Sequence, residues 1–367
     1  MTQRRRLIVT LGVIVLALAG LAAWFVLRPG PQAAQNVAEG QLVEHAAGST
    51  RIPAAPTSVL VYDPASLDIL DALGVQVKGV GGQNLPDYLA RYAKPPYENV
   101  GSLFEADMEK VAAMRPDLVI VGGRSRRQYE TLAPVAPTID MSTGDGDRVE
   151  ATIRKTEQLA RIFGKQQRGA ELVADLRASL DRTRKVTAGA GRGLVILTTG
   201  GRMSAFTPEA DSRFGFVHSA FGVTPAMPTK ASGAHGNRVT AEFIRQVDPD
   251  WLFVVDRDTA TGRVDAEGKP VARTGGGREG GQRGGGRGGR NGGGGNGSGE
   301  GQDRPGMGAR QTLDNPLIAQ TKAWKQGHVV YLDPRSWYIV GGGIQNLRRM
   351  SDEIATAMSR DGSAPAN

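Results

Sequence analysis

The stretch that decides the fold is Gly200 to Arg257, GGRMSAFTPEADSRFGFVHSAFGVTPAMPTKASGAHGNRVTAEFIRQVDPDWLFVVDR. One apolar run leads into it, GLVILTT (Gly193 to Thr199), and another closes it, WLFVVD (Trp251 to Asp256). Short apolar runs bounded by turn residues and separated by helical patterns predict parallel strands of an α/β sheet. Ligands of such sheets bind in the crevice beyond the carboxyl ends of the strands. Arg202, Arg213, His235 and Arg257 fall there, and Arg124 follows the run LVIVGG in the same way. A single arginine is ordinarily a solvated surface charge, and a single histidine a hydrogen-bonded structural residue. Cations repeated at equivalent topological places point instead to a cleft for a compact anion. His235 stands in the turn SGAHGN, where a large side chain has no core to fill.

Upstream the same alternation builds a smaller lobe. Ser58 to Tyr62 (SVLVY) is a strand, and Asp63-Pro64 opens a helix, ASLDILDAL, that stops at Gly74. The run VQVKGVG is a second strand, ADMEKVAAMRPDLVIVGGR a helix followed by a strand, and APTIDM (Ala136 to Met141) a further strand. From Asp147 to about Lys185 the pattern turns helical, with stripes at Ile153, Leu159, Ile162, Phe163 and at Leu172, Val173, Leu176, Leu180, broken near Gly164. A long helix joining two lobes would restrain motion between them; a surface helix packed on one lobe fits the periodicity nearly as well. Downstream, NPLIAQTKAWKQG reads as helix, HVVYLD as strand and GGGIQNLRRMSDEIATAM as a closing helix, with PRSWYIVGGG between the last two.

The chain begins MTQRRR and continues with 21 uncharged residues, Leu7 to Leu27. At about 1.5 Å per residue this run spans roughly 30 Å, the thickness of a bilayer core. Arg4, Arg5 and Arg6 are expected to stay cytoplasmic and send the body across the membrane. The run is longer than a usual signal-peptide core, which favours an uncleaved anchor over a signal peptide. There is no cysteine, so N-terminal lipidation, thiolate metal sites and iron–sulfur clusters are excluded. The formal charge of +8 is concentrated: residues 273–310 hold seven arginines against Glu279, Glu300 and Asp303. Glycine makes up more than half of Gly275 to Gly308, which cannot bury enough surface to offset its ordering entropy and is expected to be a disordered loop expansion. Its RGGGRGGR repeat resembles RNA-binding segments, but a translocated body would not meet RNA.

No HExxH, GxSxG or GxxxxGK[ST] occurs, and His45, His218, His235 and His328 are scattered, so neither an enzyme nor a three-histidine metal site is expected.

YDPASLDILDALGV, VGSLFEADMEKVAAMRPDLVIVGGR, SAF–P–SRFG, the GAHG turn, PDWLFVVDR and LDPRSWYIVGGG together resemble the periplasmic substrate-binding proteins of ferric-siderophore ABC importers, most closely the enterochelin and catecholate type. The likeness covers Ser58 to Met358 apart from the insert. It implies two Rossmann-like α/β lobes joined by a long α-helix, with the ligand cleft between them. The organisation expected is a signal anchor or signal peptide at 1–28, a tether at 29–50, an N-terminal lobe at 51–146, a helical connection at 147–187 and a C-terminal lobe at 188–360. That lobe is expected to carry the glycine-arginine insert, disordered, at 262–311.

By the same resemblance Arg124, Arg213 and Arg257 hold the anion, and His235 and Tyr338 complete the iron coordination when a tetradentate siderophore leaves positions open; Arg202, from its place after the first apolar run, and Trp337, as the neighbour of Tyr338, are expected to line the site beside them. Glu109 and Glu242 resemble acidic knobs that dock on the permease. The partners this implies are a ferric catecholate siderophore as transported ligand and an inner-membrane ABC permease, for a periplasmic monomer with no resident cofactor and no nucleic acid; the N-terminal apolar segment adds the membrane. Haem or cobalamin binding on the same fold is the alternative, with membrane-tethered RNA binding behind it. Two features depart from the family pattern: the glycine-arginine insert soon after Arg257, and the apparent anchor.

Overall fold

The computed structural model describes residues 40–82, 84–144, 146–209, 212–227, 236–265, 267–271 and 306–359. Residues 1–39, which include the apolar segment, and 272–305, the body of the insert, lie outside the described residues. Among the described residues no helix is long and apolar enough to cross a membrane.

The end of the expected tether is a β-hairpin, β1 (Gln41–His45) against β2 (Gly48–Ile52). The N-terminal lobe then carries a five-stranded sheet of β3 (Val59–Val61), β4 (Gly79–Val80), β5 (Glu98–Asn99), β6 (Leu118–Val121) and β7 (Thr138–Asp140), in the order β5-β4-β3-β6-β7. Every pairing in it is parallel. Its strands are apolar along their whole length because both faces are covered: Val59 to Val61 and Leu118 to Val121 are all buried. Between β3 and β4 runs α1 (Pro64–Ala72), opened by the Asp63 side chain, which accepts from Ser66 N, and by Pro64 in the first turn, and between β5 and β6 runs α2 (Met108–Met114).

The C-terminal lobe has a six-stranded sheet: β8 (Arg192–Thr199), β9 (Arg202–Phe206), β10 (Thr224–Pro225), β11 (Asn237–Val239), β12 (Trp251–Asp256) and β13 (Val329–Tyr331). Its order is β11-β9-β8-β12-β13, with β10 beside β8. The apolar runs that open and close the deciding stretch, β8 and β12, are parallel neighbours, as their composition predicts. The sheet is nevertheless mixed. After the glycine pair Gly200-Gly201 (φ +52 and +73) the chain turns back, so β9 runs antiparallel to β8 and β11 antiparallel to β9. Arg202 therefore does not hang beyond a strand; it is the first residue of β9, opposite Thr199.

Two helices lie between the lobes in sequence. α3 (Arg148–Ile162) begins at Asp147, whose carboxylate accepts from Val149 N and Glu150 N, and it ends where Gly164 takes φ +63. α4 (Gln166–Thr187) buries the expected stripe of Leu172, Val173, Leu176 and Leu180. It packs on the closing helix, α5 (Ile344–Ser359), with Thr183 and Ser351 hydroxyls 2.7 Å apart and Ser179 Oγ donating to Asp352 Oδ1 at 2.7 Å. One hydrophobic core runs from Val61 in the first lobe through Leu176 and Leu347 to Phe253 in the second. A core continuous across the joint favours restrained lobes over freely hinged ones.

The two lobes are also latched at Asp68 of α1. Its buried carboxylate accepts from Gln345 N (2.9 Å) and Asn346 N (3.0 Å) at the start of α5, and from the Tyr88 hydroxyl (2.8 Å). These are two of the amide donors a helix leaves unpaired at its N-terminus.

The margins of the insert are built structure, which corrects the expectation of disorder from 262 to 311. Val264 is 2% and Ala309 3% exposed, and Ala309–Leu313 is helical. Two carboxylates fasten these margins to the end of β12. Asp256 Oδ2 accepts from Ala309 N (2.7 Å), and Asp258 accepts from Met307 N (3.0 Å), Arg263 Nη1 (3.3 Å) and Gly200 N (2.7 Å). A glycine-rich composition hides such anchors, because the acceptors lie elsewhere in the sequence.

Candidate functional site

Three arginines expected at strand ends converge on one residue, Tyr338. Arg124 is carried by a 3-10 turn, Gly123–Gln128, at the carboxyl end of β6, where Gly123 adopts φ +54. Its Nη2 donates to the carbonyl oxygen of Tyr338 and, at 3.2 Å, to that of Ile339, so it bridges from the first lobe to the second. Arg213 Nη2 donates to the same Tyr338 carbonyl at 3.0 Å. Arg257 follows β12 directly, in a helical turn capped by Asp256. The guanidinium carbons of Arg213, Arg124 and Arg257 lie 4.3, 4.8 and 5.7 Å from the centroid of the Tyr338 ring. Cations over an aromatic face gain from its quadrupole.

A fourth cation belongs to this group and has no motif to announce it. Arg148 is the first residue of α3; its Nη1 is 3.5 Å from Gly341 O and its guanidinium 5.7 Å from the Phe216 ring centroid. Helix N-termini disfavour cations, so an arginine there is a local cost that periodicity does not explain.

The electrostatics are those of an unpaired cluster. Burial, followed by the like charges of Arg124 and Arg148, lowers the Arg213 guanidinium from its usual range to about 10, against a raising pull from Tyr338. Burial first, and then Arg257, lowers Arg124, while burial alone lowers Arg148. The carboxylate that tempers Arg124, Asp63, is already committed: buried in an ion pair with Lys155 Nζ at 2.9 Å, it is held below its ordinary range against a large burial penalty. Among the described residues none of Arg124, Arg213 and Arg257 forms an ion pair, and the buried Arg257 Nε has no hydrogen-bond partner. Crowded guanidiniums without carboxylates can offer paired donors to a polyanion.

Tyr338 owes its place to a π-helical turn, Arg335–Val340. Such turns recur at functional sites. The anchor is Trp337, which is fully buried among Phe214, Phe216 and Phe221 and stacks on Phe216 at 5.8 Å. Its indole Nε1 donates to Glu353 Oε2 at 2.7 Å, and the other oxygen of Glu353 accepts from Asp333 N at 3.0 Å. Trp337 is thus a packing residue, which corrects its assignment as a ligand contact: successive residues on a helical turn point about 100° apart, and Tyr338 takes the cleft side. Arg202 is half-buried on β9 and, among the described residues, makes no hydrogen bond or ring contact to Tyr338. His235 lies outside the described residues. Among the described residues no cluster of three or more His, Cys, Asp or Glu could hold a metal.

Glu109 and Glu242 occupy matching positions. Each is the second residue of a seven-residue helix, Met108–Met114 or Ala241–Val247. Each helix is capped by a side chain, Asp107 or Thr240, and ends on a non-glycine residue at φ +45, Arg115 or Asp248. Both glutamates are exposed.

A hollow of about 1160 Å³ lies elsewhere, along the edge strand β13 between Trp324, Tyr331, Lys269 and Arg310, and none of the three convergent arginines lines it.

Residues 59–336 match the periplasmic binding protein family. The chain belongs to that family. It is 31% identical over 314 residues to the petrobactin-binding protein YclQ of Bacillus subtilis, covering 85% of each chain. The crystal structure of YclQ superposes with a TM-score of 0.71 at 30% identity, over 88% of this chain and 99% of that one. The ferric-anguibactin-binding protein FatB of Vibrio anguillarum is 32% identical over 319 residues, 85% of this chain and 86% of FatB. The periplasmic catecholate-siderophore binding protein VctP of Vibrio cholerae gives a TM-score of 0.68 at 27% identity, over 87% of this chain and all of that one. These likenesses bear out the two-lobed α/β architecture and the expected resemblance to siderophore-binding proteins.

Proposed function

We propose that the chain is the substrate-binding component of an iron-siderophore ABC importer, and that it captures an anionic ferric catecholate and delivers it to an inner-membrane permease. The observation that carries this is the convergence of Arg124, from one lobe, with Arg213 and Arg257, from the other, around Tyr338 without a neutralising carboxylate. A ferric catecholate presents negative oxygens around the metal, which fixed guanidiniums can bind at any physiological pH. The relatives named for petrobactin, ferric anguibactin and catecholate siderophores support the same substrate class.

Iron is cargo in this reading. A hexadentate chelator saturates it, and the Tyr338 phenol then makes only outer-sphere contact. A tetradentate chelator leaves two positions, for which phenolate oxygen and imidazole nitrogen are suitable donors, and Tyr338 and His235 fill them. Glu109 and Glu242 dock the two lobes on the permease. The apolar run Leu7 to Leu27 tethers the chain to the outer face of the inner membrane, where it acts as a monomer.

Gel filtration of the full-length chain with a ferric tris-catecholate tests the reading. The visible band of the chelate should travel with the protein; a band that elutes separately, or protein that takes up haem instead, would overturn it. With a bis-catecholate, Tyr338→Phe should shift the band, and an unshifted band would remove the coordination role.

A further inference from the structure

Phe104 is the most exposed large apolar side chain of the described residues, at 71%. It stands in the loop Gly101–Ala106 that follows β5. Because the first sheet is wholly parallel, the loops after β4, β5 and β6 all open on one rim, the rim that carries Arg124.

The loop is rigid. Gly101 and Ala106 pair as an antiparallel bridge, and Ser102 N donates to Glu105 O at 2.7 Å. Ser102 Oγ accepts from Phe104 N (3.2 Å) and Glu105 N (3.0 Å). Gly101 is required there: at φ +114 a Cβ would meet Glu105 O at 2.4 Å. Gln128, from the turn that carries Arg124, donates to Ser102 O (3.2 Å) and Leu103 O (2.9 Å), so loop and arginine form one unit. Leu103 turns inward, 8% exposed and against Gly82, which leaves Phe104 outward.

Folding gains little from a phenyl ring left in water. A binding surface gains from one on a fixed backbone, since little ordering entropy remains to be lost on contact. We propose that Phe104 is an aromatic wall of the ligand cleft, lying against the aryl rings of a ferric catecholate while Arg124, Arg213 and Arg257 hold its oxygens. This rests on the siderophore reading above and deepens it. A catecholate chelate has two kinds of surface, charged oxygens around the metal and aryl faces at its periphery. The arginines suit the first, and an offset or edge-to-face phenyl suits the second.

The test is titration of the full-length chain and of Phe104→Ala, Phe104→Leu and Phe104→Tyr with a ferric tris-catecholate, with cellular uptake measured alongside. Phe104→Ala should weaken binding about tenfold, in line with a lost aromatic pair and its buried area. Phe104→Tyr should bind within about twofold of the parent, and Phe104→Leu should recover only part of the loss. A parent that binds the chelate and a Phe104→Ala variant that binds it equally well overturn the proposal and leave the siderophore reading intact. Unchanged capture with reduced uptake overturns it too, and assigns Phe104 to the permease. A parent that binds no ferric catecholate defeats the siderophore reading, and the wall falls with it.

Discussion

Arg213 contacts Tyr338 twice: its guanidinium donates to the Tyr338 carbonyl at 3.0 Å and lies 4.3 Å from the centroid of the same residue's ring. Both contacts leave its charge without a carboxylate, beside Arg124 and Arg148. The sign of the consequence follows from the lowered pKa. From about pH 10 up to the ordinary arginine range the folded chain gives up this proton more readily than the unfolded chain, so below that window the ligand-free fold carries the cost of the crowded charge.

Arg213→Gln should therefore separate stability from binding. It keeps a donor for the Tyr338 carbonyl and removes a crowded charge, which should stabilise the ligand-free chain by on the order of 1 kcal/mol after discounting for the side chain's partial exposure, or a rise in Tm of about 1–2 °C for a chain of this size. Ferric catecholate affinity should fall roughly tenfold to a hundredfold, the loss expected for a hydrogen bond to a charged group. Calorimetry and chelate titration check both halves; a lower Tm together with unchanged affinity would contradict both.

Glu353 should matter without touching the ligand. It holds Trp337 Nε1 and Asp333 N, and so fixes the turn that presents Tyr338. Glu353→Ala leaves a buried indole donor unpaired, at a cost of about 1–3 kcal/mol. It should weaken chelate binding more than Glu353→Gln, which retains an acceptor. Equal affinities for the two variants would show that the turn holds its shape by packing alone.

Asp68 gives the latch between the lobes a pH dependence. Burial pushes its carboxyl up to about 7, against the downward pull of Tyr88, Gln345 and Asn346. For an acid raised in the folded state, the stabilisation is complete below the unfolded pKa near 4 and is lost as pH rises through about 7. The Tm of the parent relative to Asp68→Asn should thus fall between pH 5 and pH 8. A difference that stays constant across that range would mean the three donors keep Asp68 ionised throughout.

Charge reversal at Glu109 or Glu242 should spare capture and reduce uptake, since both lie exposed on short matching helices, one on each lobe. Loss of chelate affinity in the purified double variant would remove the docking role.

Much of this site was legible because it hangs on strands. LVIV and WLFVVD are apolar throughout, so β6 and β12 and the arginines after them could be placed from sequence. Arg202 was misplaced because RMSAF is too short and mixed to reveal that the chain folds back after Gly200-Gly201. Trp337 was misread because adjacency in sequence says nothing of the angle between neighbours on a helical turn. Arg148 and Glu353 sit in ordinary helical patterns and gain their roles only from what the tertiary fold brings beside them.

The central claim is that the cleft selects its ligand by charge, and the most direct measurement is a paired titration. The full-length chain is titrated with an anionic ferric tris-catecholate and with a cationic ferric hydroxamate, following tryptophan quenching. Saturable quenching by the catecholate, with affinity at least a hundredfold above that for the hydroxamate, is the predicted result, on the scale of about 3 kcal/mol for charge-assisted hydrogen bonds. Equal affinity for the two complexes, or tighter binding of the cation, would contradict it.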